Sequence, residues 1–180
     1  MRNKTDVVFK YLDEAELSLC IYFNRISQQH SLERIFAIIS RLGDGVFWYS
    51  LITVIFILDY SAFGIKAASH MTITGIIGVI IYKVLKTRMV RQRPSTTWDQ
   101  IHLAAAPLDL YSFPSGHTLH AVSFSMIACF YYPGLVWMLF PFTVLIALSR
   151  VILGLHYPTD VIVGAIIGGS LAVLSINIVI

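Results

Sequence analysis

The chain has 180 residues, 57% of them hydrophobic and only 13% charged, with a formal net charge of +3. A soluble domain of this size carries about a quarter charged residues, so this composition excludes that class and points to a membrane. The basic residues crowd between apolar tracts, which suits an anionic partner at a membrane surface and argues against nucleic acid.

Taken in order, Met1-Arg2-Asn3-Lys4-Thr5-Asp6 is polar and does not read as a signal peptide. Residues 7–40 are apolar only in patches and contain Asp13, Glu14, Glu16, Asn24, Arg25, Glu33 and Arg34. One charge at the centre of a bilayer costs about 2.5–3.5 kcal/mol on insertion scales. The segment therefore reads as two amphipathic helices, about 12–27 and 31–41, at the interface or against the bundle, with a sixth span as the alternative. Gly43-Asp44-Gly45 is a break, and the first clear span follows it to residue 58. Cys20 and Cys129 lie far apart in apolar surroundings and read as packing thiols.

A second span, about 65–84, contains Gly75 and Gly78, which permit close helix approach, and His70, which reads as a buried, bonded ring. It ends in a basic cluster of Lys83, Lys86, Arg88, Arg91 and Arg93. Lys83, Arg88 and Arg91 read as solvated residues that touch anionic lipid headgroups. Residues 95–112 form a connection long enough to roof a site. From Phe113 to Ser149 there is no Asp, Glu, Lys or Arg, and Tyr132-Pro133-Gly134 divides this tract into two spans. Val161 to Ile180 is the last. The expected fold is all-α: one integral membrane helical bundle over 1–180, with about five to six transmembrane helices. Residues 1–41 supply amphipathic N-terminal helices, and 83–165 carry the chemistry.

Parity gathers that chemistry. The third and fourth spans go out and back, so Ser115 and His117 share a membrane face with Arg150, and the short link keeps His156 and Asp160 there too. Lys86 and Arg93 leave the second span on the same side. Lys86, Arg93 and Arg150 can bind the oxygens of a tetrahedral dianion. The helix start at Ser115-Gly116-His117 offers backbone N–H groups and a hydroxyl, and Gly116 lets an anion approach closely. His156 and Asp160 are four residues apart at a helix start, so the carboxylate can hold one ring nitrogen and leave the other as nucleophile or base. His117 is free to protonate a departing alkoxide. A zinc site of His117, His156 and Asp160 is disfavoured by three adjacent cations. Packing accounts for His120, while Asp44 and Asp109 either shape the entrance or cap helices.

Three motifs carry a family resemblance. Lys86, six residues, then Arg93-Pro94; Pro114-Ser115-Gly116-His117; and Ser149-Arg150, five residues, His156, three residues, Asp160 are similar to the signatures of the type 2 phosphatidic acid phosphatase superfamily. The resemblance implies a lipid phosphatase that uses neither metal nor cofactor and works through a phosphohistidine intermediate. It implies His156 as nucleophile, Asp160 as its orienting partner and His117 as general acid. It assigns Lys86, Arg93, Ser115, Gly116 and Arg150 to phosphate. The implied partner is a membrane lipid phosphate, with an undecaprenyl-diphosphatase type as the nearest build and the site facing the outside of a bacterial inner membrane. Phosphatidate or phosphatidylglycerophosphate hydrolysis, phosphate transfer between lipids, and non-catalytic lipid binding stand as alternatives.

Overall fold

A computed structural model of the protein describes residues 4–179, with side chains from residue 8, and every regular element described is helical. Helix α1 (Lys4–Asn24) passes through a tight turn (Arg25–Gln28) into α2 (His30–Arg41). A wide turn of π type, Leu42–Val46, joins α2 to α3 (Phe47–Leu58), and α4 (Ala62–Arg88) returns. The single turn α5 (Pro94–Thr97) opens the long connection to α6 (Gly116–Tyr131), followed by α7 (Val136–Ile152) and α8 (Pro158–Val179).

Among the described residues, four stretches are long and apolar enough to cross a membrane: His30–Leu58, Ala62–Arg88, Pro133–Ile152 and Pro158–Val179. The fifth apolar helix, α6, has 16 residues, about 24 Å at 1.5 Å per residue, and packs against α4, α7 and α8. Its inner residues Leu119, Ala121, Ile127 and Ala128 have no solvent exposure. Ala121, Ile127 and Ala128 pack with Trp48, Ala67, Met71, Leu139 and Ile146 into the main core, while Ile73, Ile80, Phe140, Ile166 and Leu174 face outward as a lipid-exposed shell requires. Helix α8 comes close enough to α6 that a methyl group at Gly164 would stand 2.5 Å from the Ser115 carbonyl oxygen.

The expected parity is present. Lys86, Gly116, Arg150 and Asp160 lie in the terminal turns of their helices at one end of the bundle. At the other end Tyr132 donates to Asp59 (2.7 Å) and Lys66 donates to the Val179 carbonyl (3.1 Å). His70 is bonded to Tyr131 (3.2 Å), the packing role expected of it.

The N-terminal third holds the two helices expected there. Helix α2 matches the expected 31–41, and the chain breaks at Gly43-Asp44-Gly45 before α3 starts, although α2 and α3 together form one apolar stretch long enough to span. Gly45 carries the kink at φ 127°, a region that side-chain-bearing residues avoid. Helix α1 lies against the bundle, as read for 12–27, where Asn24 donates to the carbonyls of Ile152 and His102 (2.9 Å each); the alternative of a sixth span there is not met among the described residues.

Arg91 departs from the expectation. Instead of a solvated loop cation it is 1% exposed. Its Nε donates to Asp13 (2.9 Å), Nη2 to Glu16 (2.8 Å), and Nη1 to Asp160 (2.6 Å) and Thr159 (2.7 Å). The guanidinium also lies 4.0 Å from the Tyr157 ring centroid. Three carboxylates from α1 and α8 compensate its desolvation, so local sequence could not reveal its burial. Lys83 and Arg88 are exposed as expected.

Arg91→Met leaves those carboxylates buried without a counter-charge, which costs about 3–5 kcal/mol. Thermal unfolding of the detergent-solubilised protein should show a large drop in midpoint, with Arg91→Lys intermediate because it keeps the charge and loses the fork.

Candidate active site

The three motifs meet around a cavity of about 900 Å³. Lys86, Arg93, Gly116, His117, Arg150 and His156 all line it. Each sits at a helix end or in a link for a local reason. Pro94 at the first position of α5 ends the chain's extension after Arg93. Ser115 is the N-cap of α6, with its hydroxyl accepting from the Thr118 N–H. The backbone N–H groups of Gly116 and His117 have no intrahelical acceptors, as at any helix start. Beyond Arg150 the chain folds back, with the N–H groups of Leu155 and His156 donating to the Arg150 carbonyl (3.1 and 3.0 Å).

The cations are organised rather than loose. Arg93 Nη1 donates to the Leu155 carbonyl (2.6 Å), tying the first motif to the third. Arg150 Nη1 is bonded to the Ser40 hydroxyl, and its buried Nε has no partner among the described residues. Lys86 Nζ donates to the Tyr111 carbonyl (2.9 Å) and to Asp109 Oδ1 (2.5 Å). Arg93 Nη2 donates to the same Asp109 oxygen (2.6 Å). The 98–113 connection thus roofs the site, as its length suggested, and lays a carboxylate across two of the three cations.

His156 is 2% exposed. Burial, then the positive charges of Arg150, Arg93 and Lys86, hold its ring well below the ordinary histidine range, so it is neutral near pH 7 with a lone pair available. Its Nδ1 is turned toward Asp160, with 3.6 Å to Oδ2, and has no hydrogen bond among the described residues. The expected carboxylate–imidazole bond is therefore only an approach at 3.6 Å here, with the ring neutral. Both Asp160 oxygens are engaged elsewhere, Oδ1 by Arg91 and Oδ2 by the Tyr157 N–H (2.9 Å).

Two expected residues stand behind the cavity. Asp160 is fully buried beneath His156. Ser115 is also fully buried, and neither of its donors reaches the cavity. Its N–H donates to the Asp160 carbonyl (3.0 Å), and its hydroxyl is taken up by Thr118, with 3.0 Å to Oγ1. Ser115 holds the second motif to the third, and the expectation that its hydroxyl contacts phosphate is not met in this geometry.

Two residues left unassigned by sequence belong here. Asp109 bridges Lys86 and Arg93, and Asp44, on the π turn, is bonded to His117 Nε2. Both line the cavity. Asp44 did carry a signal, since an ionisable residue between two glycines inside an apolar stretch marks a candidate site. Among the described residues no group of three or more His, Cys, Asp or Glu is arranged to hold a metal ion.

A trio of cations, a neutral buried histidine, a second histidine and an open helix N-terminus, set in a lipid-exposed bundle, define a membrane protein that handles phosphate esters. The PAP2 superfamily profile matches residues 64–180, and the chain belongs to that superfamily. Its relatives include an undecaprenyl-diphosphatase of Sulfolobus acidocaldarius, 27% identical over 91% of this chain and 77% of that protein. The undecaprenyl-diphosphatase BcrC of Bacillus subtilis is 32% identical over 54% of this chain and 50% of its own length. Among solved structures, Aquifex aeolicus LpxE superposes with a TM-score of 0.76 at 25% identity, covering 91% of this chain and 95% of that one. A PAP2-type phosphatidylglycerolphosphate phosphatase of Bacillus subtilis superposes with 0.68 at 26%, covering 97% and 93%. This chain is an integral membrane enzyme, a lipid phosphatase.

Any phosphate on Lys86 and Arg93 competes with Asp109. Asp109→Asn should therefore tighten inhibition by vanadate or inorganic phosphate about tenfold, or ~1.4 kcal/mol. Inhibition constants in detergent check this, and weaker inhibition would mean that Asp109 holds the cations in place for substrate.

Proposed function

We propose that this protein removes the terminal phosphate from a lipid diphosphate of the undecaprenyl diphosphate type, without metal or cofactor, through a phosphohistidine on His156. The observation that carries the reading is one cavity with two characters. Lys86, Arg93, Arg150 and His156 stand at one end, and Ile52, Ile76 and Val79 of α3 and α4 continue it along the bundle. A charged headgroup fits the first part and an isoprenoid or acyl chain the second. The names of two relatives support a polyprenyl diphosphate as substrate.

In this reading the three cations and the N–H groups of Gly116 and His117 hold the phosphoryl oxygens and take up charge in the transition state. The His156 lone pair attacks the terminal phosphorus, and its bond to the bridging oxygen of the diphosphate breaks, releasing the lipid monophosphate. His117 supplies the proton to that oxygen. Water then attacks the phosphohistidine, His117 takes the proton back, and inorganic phosphate leaves. Asp160 steadies the positive charge that develops on His156.

Purified protein in EDTA should release phosphate from polyprenyl diphosphate faster than from phosphatidate or phosphatidylglycerophosphate. His156→Ala should lower turnover about 10³-fold or more, and a covalent phosphoenzyme should be trapped only when His156 is present. Strict metal dependence, or near-normal rates in His156→Ala, would remove this mechanism. Label appearing in a second lipid would instead make the protein a phosphotransferase.

The site is proposed to face the outside of a bacterial inner membrane, by likeness to the family. Gln100 is exposed on the roof of the site, whereas Cys20 is buried and Cys129 half-buried. Gln100→Cys should be labelled by an impermeant maleimide in intact cells; labelling only after lysis would place the site on the cytoplasmic side.

A further inference from the structure

The geometry points to Asp44 as the residue that positions and charges His117, making an Asp44–His117 pair the proton-handling unit of the reaction. Residue 44 lies outside the segment that matches the superfamily, which begins at residue 64. Nothing in the three motifs assigns it a task.

Its placement needs special backbone. The wide turn Leu42–Val46 interrupts the α2–α3 helix, and Gly45 adopts φ 127°. Sharp kinks borne by a glycine redirect the chain between two helices and turn side chains away from the helix face they would otherwise follow. Here the kink brings Asp44 into the cavity wall beside His117. The Asp44 carboxylate is hydrogen-bonded to His117 Nε2, which leaves Nδ1 without a partner among the described residues. Close packing fixes the level of the turn, since a methyl group on neighbouring Gly43 would meet Ile146 at 3.2 Å and His117 at 3.4 Å.

The charges explain why such a partner is needed. Lys86 from α4, Arg150 from α7 and His156 from the α7–α8 link all act on the His117 ring, which shares its helix with His120. Three cationic or potentially cationic groups disfavour a fourth positive charge among them, yet a general acid must carry one before it can give up a proton. Asp44 supplies the compensating negative charge. With Nε2–H held by Asp44, the imidazolium gives its Nδ1 proton to the departing oxygen (the bridging oxygen of a diphosphate, the alkoxide of a monoester) as the phosphorus–oxygen bond breaks. Neutral His117 then accepts at Nδ1 the proton of the water that cleaves the phosphorus–nitrogen bond, and the pair is restored.

This rests on the phosphohistidine reading, and the test separates the two. Wild type and Asp44→Asn are compared on a long-chain alkyl phosphate, whose alkoxide leaving group needs a proton, and on p-nitrophenyl phosphate, whose phenolate needs little help. The expected result is a fall in kcat/KM of about 10–100-fold on the alkyl ester and less than about threefold on the aryl ester. The alkaline limb of the alkyl-ester profile should move to lower pH by about one unit or more. Asp44→Glu should recover part of the alkyl-ester rate. In a cycle with His117→Gln, the double variant should fall no further than His117→Gln alone. Equal loss on both esters, a rate increase, or additive losses in the cycle would overturn the role of Asp44. Failure of wild type on every phosphate ester would instead count against the phosphohistidine mechanism itself.

Discussion

The structure depends on one guanidinium with no access to water. Arg91 joins α1, the loop after α4 and the start of α8, because among the described residues Asp13, Glu16 and Asp160 have no other positive partner so close. Burial raises the pKa of Asp13 despite the adjacent Arg91, an indication of how dry this junction is. Glu16 extends the junction by accepting from both the N–H and the hydroxyl of Thr159 (2.7 Å each). The carboxylate beneath His156 is thereby fixed by residues that the catalytic motifs do not include. An N-terminal helix that looks peripheral is part of the floor of the site.

Above that floor, strong charges are met by opposite ones. Asp109 lies on Lys86 and Arg93, Asp44 on His117, and Asp160 on Arg91. Arg150 differs, since its Nη1 meets only the neutral Ser40 hydroxyl and its buried Nε has no partner among the described residues. Buried unpaired donors are costly, so an oxygen-rich ligand at this point is favoured by the desolvation already borne by the protein. His156 gains from the same surroundings. Burial and the neighbouring cations keep its ring neutral, as the proposed attack on phosphorus requires.

Much of this was legible in the sequence, because the motifs lie at helix ends and counting spans gives their side of the membrane. Lys86, Arg93, Gly116, His117, Arg150 and His156 reach one cavity for that reason. Side-chain partnerships were not legible. Ser115 reads as a phosphate donor from its place beside Gly116, yet its N–H is taken by the Asp160 carbonyl and its hydroxyl lies behind the cavity wall, capping α6 and bonded to Thr118. Arg91 sits in a basic run and reads as solvated, because its three acids come from residues 13, 16 and 160. Asp44 and Asp109 acquire meaning only once the kink at Gly45 and the roof loop are placed.

The brevity of α6 has a further consequence. At about 24 Å it is shorter than the roughly 30 Å hydrocarbon layer, and the cation site stands at its N-terminal end. A bilayer centred on α6 would put the cation cluster a few ångströms beneath the headgroup plane instead of level with it. In the proposed reaction a lipid then brings its phosphate to that cluster by lateral drift and a slight descent, without its tail being lifted into water. Water is the reactant that must travel, down through the roof formed by residues 98–113, so the depth of the site governs hydration as much as binding.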